Sequence, residues 1–218
     1  YNITYDMATP YNVIGSVQDE GSFMASIKNT YGMKDKSIKQ WDDAPGGEGT
    51  IIAVDPQNSN LAYASSFYGR LMRSDLSKAD SIRSKNIFPK KAEGEEVYRG
   101  EWLAYTMLSP HDNSTIYHGF QYLFRSTDKG ETWTRISDDL TYNNKDKMGR
   151  TPYAINHQAI TAIDESPIVK GVLYAGTDDG RVWGRKSDNG TWNQLMKGIP
   201  QNAHVSRLVA SKYDQVTV

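Results

Sequence analysis

Four short stretches of the sequence bring carboxylates, amides and aromatic rings together, and these side chains are suited to binding a sugar. An aromatic ring can stack on the face of a pyranose, while carboxylates and amides bind the sugar's hydroxyl groups. The candidate ligand-binding residues in these stretches are Gln18, Asp19, Tyr68, Gln121, Tyr122, Asp178 and Asp179. Glu20, Phe67 and Phe120 stand next to them. The sequence therefore indicates a binding surface for a glycan or a protein.

An ordinary turn explains two of these stretches as well as ligand binding does. Asp178-Asp179-Gly180 has the composition of a tight hairpin turn, in which Asp bonds to the backbone and Gly adopts a positive φ. Gln18-Asp19-Glu20-Gly21 has the same explanation. Carboxylates also raise the question of hydrolysis, but a glycoside hydrolase needs two of them about 5–5.5 Å or 6.5–9.5 Å apart. The sequence shows no complete catalytic set.

The composition narrows the other classes of site. The chain has no cysteine, which excludes disulfides and thiolate chemistry, and its four histidines lack the spacing of metal ligands. Lys and Arg number 25 against 26 Asp and Glu, so no net charge attracts nucleic acid. No apolar run approaches the roughly 18 residues of a membrane span. We expect no metal, no cofactor, no nucleic acid and no membrane insertion.

One octapeptide, Ser126–Trp133, organises the elements that position these stretches. It reads S-x-D-x-G-x-x-W and has strand-like residues on both sides. Asp128 can accept hydrogen bonds from the turn, Gly130 supplies a positive φ, and we expect Trp133 to fold its ring back over the turn. The octapeptide resembles the Asp-box, or bacterial neuraminidase repeat, of β-propellers. The residues given this structural role are Ser126, Asp128, Gly130 and Trp133, with a degenerate copy at Ser187, Asp188, Gly190 and Trp192.

A cassette of short strands and turns recurs three times along the chain. Its prolines are Pro56, Pro110 and Pro167, and its tyrosines are Tyr63, Tyr117 and Tyr174; both sets are spaced 54 and 57 residues apart. A period near fifty residues with about four strands per unit is typical of a β-propeller. We therefore predict an all-β fold built of Asp-box blades and present as a partial ring.

The predicted partial propeller spans residues 1–218. We place an incomplete blade with its connection at 1–45, blades with insertions at 46–101 and 102–158, a blade at 159–200 and the start of another at 201–218. The insertions, at 79–101 and 141–158, are expected to be solvated loops that carry specificity. An open ring exposes strand edges, so we expect the rest of a longer chain or a second copy to complete it.

Three further runs resemble a family of secreted bacterial propellers with Asp-box repeats, described as glycosyl-hydrolase-like or sortilin-like. They are Tyr11–Gly15 with Gln18–Gly21, Trp41 with Gly46–Gly49 and Val54–Pro56, and Ile160–Pro167 with Gly176–Gly180. The resemblance implies that Asp-boxes lie on one face, and that ligands bind on the opposite face, at the turns between second and third strands. It also implies an extracellular, periplasmic or cell-surface location.

Three functions follow from the resemblance. The first is a non-catalytic propeller that binds a glycan or protein opposite the Asp-boxes. The second is a glycoside hydrolase acting on a polysaccharide, because Asp178 stands two residues before a turn glycine, where xyloglucan-degrading propellers have a catalytic Asp. Asp178 would then be the general acid or base, but Phe67 takes this place in the first full copy. The third is a scaffold module of a larger cell-surface complex.

Overall fold

The chain is all-β, as predicted. The computed structural model describes residues 2–27, 41–79, 83–148, 158–201, 203–215 and 217–218. Within these ranges, four antiparallel sheets contain four strands each, and two short 3₁₀ turns occur at Phe67–Gly69 and Lys145–Lys147. In every sheet the strands lie side by side in chain order, so each sheet is a simple up-and-down meander.

The four sheets follow one another along the sequence. Sheet 1 contains β1 (Asn2–Tyr5), β2 (Asn12–Val17), β3 (Gly21–Ser26) and β4 (Asp42–Asp43). Sheet 2 contains β5 (Ile51–Asp55), β6 (Asn58–Ser66), β7 (Arg70–Asp75) and β8 (Ser84–Asn86). Sheet 3 contains β9 (Thr106–Leu108), β10 (Ile116–Gly119), β11 (Leu123–Ser126) and β12 (Thr134–Arg135). Sheet 4 contains β13 (Ile160–Glu165), β14 (Leu173–Thr177), β15 (Val182–Arg185) and β16 (Asn193–Gln194).

The hydrophobic core lies between successive sheets. Tyr63 in β6 and Ile116 in β10 belong to one buried cluster, which joins sheets 2 and 3. Tyr117 in β10 and Ile163 in β13 belong to a second, which joins sheets 3 and 4. Alternate residues of a strand point to opposite faces, so the neighbours Ile116 and Tyr117 serve different clusters. Burial of each such side chain contributes about 1.5–3 kcal/mol.

The first strand of each sheet lies beside the first strand of the next, from β1 through β5 and β9 to β13. These first strands therefore form the inner side of an arc, and the short fourth strands lie at its outer rim. Packed four-stranded meanders arranged around an inner row of strands are the architecture of a β-propeller, here a partial ring.

The octapeptide forms the corner between β11 and β12. The Ser126 hydroxyl donates to the Asp128 carboxylate (2.7 Å) and accepts the Gly130 N–H (2.8 Å). The Asp128 carboxylate also accepts the Thr132 N–H (2.9 Å) and hydroxyl (2.6 Å), and these bonds lower its pKa to about 2. Gly130 has a φ of +88°, as expected for this corner.

Trp133 makes a contact that the sequence did not predict, because its indole reaches the preceding sheet. Its Nε1–H donates to the carbonyl oxygen of Ile87 (2.5 Å), the residue that directly follows β8. Trp192 donates in the same way to Ile136 (2.9 Å), directly after β12. Asp188 pairs with Arg125 of sheet 3 (2.6 Å), so the degenerate corner also contacts the preceding sheet.

Two predicted boundaries look different in the structure. The insertion predicted at 79–101 contains β8, the fourth strand of sheet 2, and residues 87–101 after it form no strand or helix. The described part of 201–218 forms no strand, and its Val205 N–H donates to Thr177 (3.1 Å) at the end of β14. Residues 149–157 of the second predicted insertion lie outside the described residues.

Candidate functional site

At one end of the four sheets, the turns between second and third strands meet the links that join successive sheets. We call this end the connection face; the Ser126–Trp133 corner lies at the other end. In three of the turns a backbone N–H donates to a link: Asp19 to Glu48, Tyr68 to Glu101, and Asp178 to Ala159. The candidate residues identified from the sequence all lie in the four turns of the connection face.

The turn Phe67–Gly69 between β6 and β7 has a constrained backbone. Tyr68 has φ 58° and ψ 34°, the left-handed region that non-glycine residues rarely adopt. Gly69 has a φ of +88°, and a Cβ there would lie 1.9 Å from the ring of Phe120. A Cβ on Gly100 would lie 2.3 Å from the Tyr68 backbone. The turn is thus wedged between two neighbours, and strained backbone of this kind is found where a side chain is held for function.

His118 in β10 anchors this turn from the neighbouring sheet. A carbonyl oxygen only accepts, so Nε2 carries the proton and donates to Gly69 (2.9 Å), and Nδ1 accepts the Thr106 hydroxyl (2.6 Å). The imidazole is completely buried, and desolvation lowers its pKa to about 4. His118 is therefore a neutral structural residue.

An aromatic cluster surrounds Tyr68 on the connection face. Trp102 lies beside Phe67, with ring centroids 4.2 Å apart, and makes an edge-on contact with Tyr68 at 5.7 Å. The Tyr68 side chain remains 36% exposed. Phe67 lies in the turn of sheet 2 and Trp102 in the link that leads to sheet 3. Folding therefore brings them together as a rigid aromatic platform on which the Tyr68 ring is exposed.

A second aromatic group lies next to it. Tyr98 contacts Phe120 (5.4 Å) and Tyr122 (6.0 Å, edge-on), and its hydroxyl donates to Glu95 (2.8 Å). Desolvation, together with this bond, raises the pKa of Tyr98 to about 12, so the hydroxyl stays protonated. The Arg135 guanidinium lies 4.8 Å from the centre of the Tyr122 ring, so Tyr122 is partly covered, unlike Tyr68.

Asp178 lies at the connection face with both carboxylate oxygens bonded to the backbone. One accepts the N–H of Gln158 (2.8 Å) and the other that of Ala159 (2.9 Å). The side chain is buried, so it fastens the link before β13 to the turn after β14. This position suits an anchoring residue and weakens the prediction that Asp178 is a general acid or base.

Asp179 is likewise engaged. Its oxygens accept the Thr177 hydroxyl (2.5 Å) and the N–H of Tyr142 (2.7 Å). The two carboxylates form part of the wall of a cleft of about 720 Å³, which Gln201 also lines. The hairpin interpretation of Asp178-Asp179-Gly180 therefore describes their local bonding, because both side chains hold backbone.

Gln121 requires a correction as a ligand-binding candidate. Its side chain is 0% exposed; the amide oxygen accepts the Arg99 N–H (2.6 Å) and the amide nitrogen donates to Val97 (3.2 Å). It therefore supports the link and does not reach a ligand. Gln18 and Asp19 are exposed in the first turn, where Asp19 has a φ of 63°.

Three residues of the site were not identified from the sequence: Tyr98, Arg99 and Trp102. Arg99 is buried and pairs with Asp139 (2.7 Å) and Glu96 (3.0 Å), which fixes the path of the link. A signal was present, because these residues lie in or beside the predicted 79–101 insertion, and links between blades were expected on the ligand-binding face. Their contacts, however, depend on residues far away in the sequence.

The described residues contain neither a cluster of metal ligands nor a membrane-spanning helix. In those ranges no group of three or more His, Asp or Glu is placed to hold a metal ion. No helix in the described part of the chain is long and apolar enough to cross a membrane.

Comparisons with known proteins show the fold. No protein-family model and no curated protein matches the chain. An ancestral GH74 enzyme superposes with a TM-score of 0.61 at 15% identity, covering 93% of this chain and 26% of its own. The Niastella koreensis GH74 enzyme superposes with a TM-score of 0.56 at 19% identity, over 91% of this chain and 29% of its own. An auxiliary nutrient binding protein from Bacteroides thetaiotaomicron superposes with a TM-score of 0.50 at 13% identity, over 85% of this chain and 44% of its own.

The chain thus spans less than a third of the length of these GH74 enzymes. Since the GH74 enzymes are β-propellers, the likeness and the four meander sheets together confirm the predicted partial propeller.

Proposed function

We propose that this chain is part of a secreted β-propeller of the Asp-box type that binds a glycan on its connection face without hydrolysing it. The observation that carries the proposal is the exposed ring of Tyr68, held by a constrained turn against Phe67 and Trp102. A rigid aromatic surface binds a sugar ring at little entropic cost, because its side chains are already ordered.

The comparisons support a glycan-related role. Two of the similar structures are GH74 enzymes and one is a nutrient binding protein. The alternative of a hydrolase has weaker support, since both oxygens of Asp178 already accept backbone N–H groups. The scaffold alternative rests on no particular contact in the described part of the chain.

The test is a glycan array followed by titration of the strongest binder, with the wild type and two variants. We expect Tyr68→Ala to weaken binding at least about tenfold, which corresponds to about 1.4 kcal/mol. Tyr213→Ala is the matched control, because Tyr213 is exposed and lies outside the connection face. Unchanged affinity in Tyr68→Ala, with the control also unchanged, would overturn the proposed site. Binding to no glycan at all would favour a protein ligand.

We also propose that a further blade covers the face of sheet 1 that points away from sheet 2. Ile3, Tyr5 and Val17 expose 79%, 64% and 52% of their surface there. Apolar side chains of this size on one sheet face fit the packing between successive sheets seen elsewhere in the chain. Another part of a longer chain, or a second copy, would supply the blade.

A further inference from the structure

The chemistry of the glycan can be inferred from a cleft beside Tyr68. The cleft has a volume of about 400 Å³ and lies between the Phe67–Gly69 turn and the link that follows β8. Four aromatic rings line it, from Tyr68, Phe88, Tyr98 and Phe120. Since Phe120 is buried and Tyr98 is held by Glu95, the walls of the cleft are fixed before a ligand arrives.

Three cations also line this cleft, and no carboxylate among the described residues does. They are Arg70, at the start of β7, and Lys90 and Lys91, in the link. All three residues are exposed. Arg70 and Lys90 form no ion pair with any other described residue, while Lys91 donates to the backbone carbonyl of Glu95 (3.3 Å). Lys91 also interacts electrostatically with the Glu95 carboxylate, so the positive charge that no described carboxylate pairs with is that of Arg70 and Lys90.

Two carboxylates of the same link, Glu95 and Glu96, are held by other bonds. Glu95 accepts the Tyr98 hydroxyl and the N–H of Ala92 (2.9 Å), and these bonds lower its pKa. Glu96 pairs with Arg99 and Lys145, both at 3.0 Å. The link thus places its cations at the cleft and uses these two acids to hold its own fold.

We propose that this cleft binds a sugar unit that carries a negative charge, with its anionic group on the cations and its ring on the aromatic wall. The inference rests on the proposed glycan binding and adds the class of sugar. Arg70 presents a planar fork of N–H donors that fits the oxygens of a carboxylate or a sulfate, and Lys90 adds a point charge. A uronic acid and a sulfated sugar share this chemistry.

The experiment compares three matched trisaccharides: galacturonate, its carboxyl-reduced neutral counterpart, and a sulfated galactose. Affinities are measured by calorimetry for the wild type and for Arg70→Gln/Lys90→Gln. We expect an acidic trisaccharide to bind the wild type about 10- to 100-fold more tightly than the neutral one, the range of charge-assisted hydrogen bonds. The double variant removes most of this preference, and added salt reduces it. The preferred acid identifies the anionic group.

The control is Lys78→Gln/Lys85→Gln, which removes the same charge near the opposite end of sheet 2 and leaves the preference intact. Equal affinity for acidic and neutral trisaccharides overturns the inference, while the proposed function stands. A preference for acids that the control variant loses equally overturns it as well, because the effect is then one of net charge. Binding to no trisaccharide overturns the inference and counts against the proposed function too; the glycan array then decides the latter.

Discussion

The imidazole of His118 donates to the carbonyl oxygen of Gly69 across the boundary between two sheets, at 2.9 Å. This bond joins the second strand of sheet 3 to the turn that displays Tyr68. Its donor is an imidazole that burial keeps neutral, so the position of the aromatic platform depends on a group that titrates.

The pH dependence of stability provides a first test. The pKa of His118 is lowered from 6.5 to about 4, so the unfolded chain takes up a proton between these values and the native chain does not. The native state therefore loses stability as the pH falls from 6.5 to about 4, by up to about 3 kcal/mol. Urea unfolding of wild type and His118→Gln should show a difference in unfolding free energy that shrinks over this window. If the unfolding free energies of wild type and His118→Gln changed with pH in parallel, His118 would not be the group responsible.

The fit of Gly69 against Phe120 predicts a large cost for a small substitution. Gly69→Ala places a Cβ against the ring at a position with φ +88°, so strain and overpacking add to about 3 kcal/mol. Gly94→Ala separates the two causes, because Gly94 has φ +82° and nothing within 4 Å of an added Cβ. We expect Gly94→Ala to lower the free energy of unfolding by about 1 kcal/mol. Equal losses in chemical denaturation would mean that the ring contact is unimportant.

The indole of Trp133 should contribute to stability through its hydrogen bond as well as its ring. Trp133→Phe keeps an aromatic side chain but leaves the Ile87 carbonyl without this donor, at a cost of about 1–2 kcal/mol. Trp41→Phe is the comparison, because the Trp41 ring is about half exposed. Thermal unfolding measures both, and a loss at position 41 as large as that at 133 would argue against the bond.

Asp178→Asn distinguishes an anchoring role from a catalytic one. The amide keeps one acceptor but turns an NH₂ toward the N–H of Gln158 or Ala159, so we expect a loss of about 2–3 kcal/mol. Asp138→Asn, at an exposed position, should be neutral. Unchanged stability at position 178, together with lost polysaccharide cleavage, would restore the hydrolase alternative.

The repeated tyrosines explain how much of the fold was predictable. Tyr63, Tyr117 and Tyr174 all lie buried in second strands, and their nearly equal spacing of 54 and 57 residues marks three of the four meanders. Within a meander each strand pairs with the next one along the chain, so the order of strands in the sequence predicts the pairing. The direction of the Trp133 indole was not predictable, because its partner Ile87 lies 46 residues away and belongs to another sheet.

The candidate site was only partly predictable for the same reason. The turns were located correctly on one end of the sheets, and Tyr68 is exposed there. Gln121 was predicted to bind the ligand, but its side chain is buried. Side chains alternate between the two faces of a strand, whereas a turn has no such alternation from which burial can be predicted. Trp102 was missed, since its contact with Phe67 forms only when two parts of the chain meet.

Trp133 and Trp192 each donate to the residue that directly follows the fourth strand of the preceding sheet. Sheets 3 and 4 thus each carry in their own corner a bond that joins them to the sheet before. A tandem duplication of one blade would supply the new copy with a ready joint on both sides. Because stability in an array of repeats depends largely on nearest neighbours, we expect such a copy to be stabilised by the same pair of bonds.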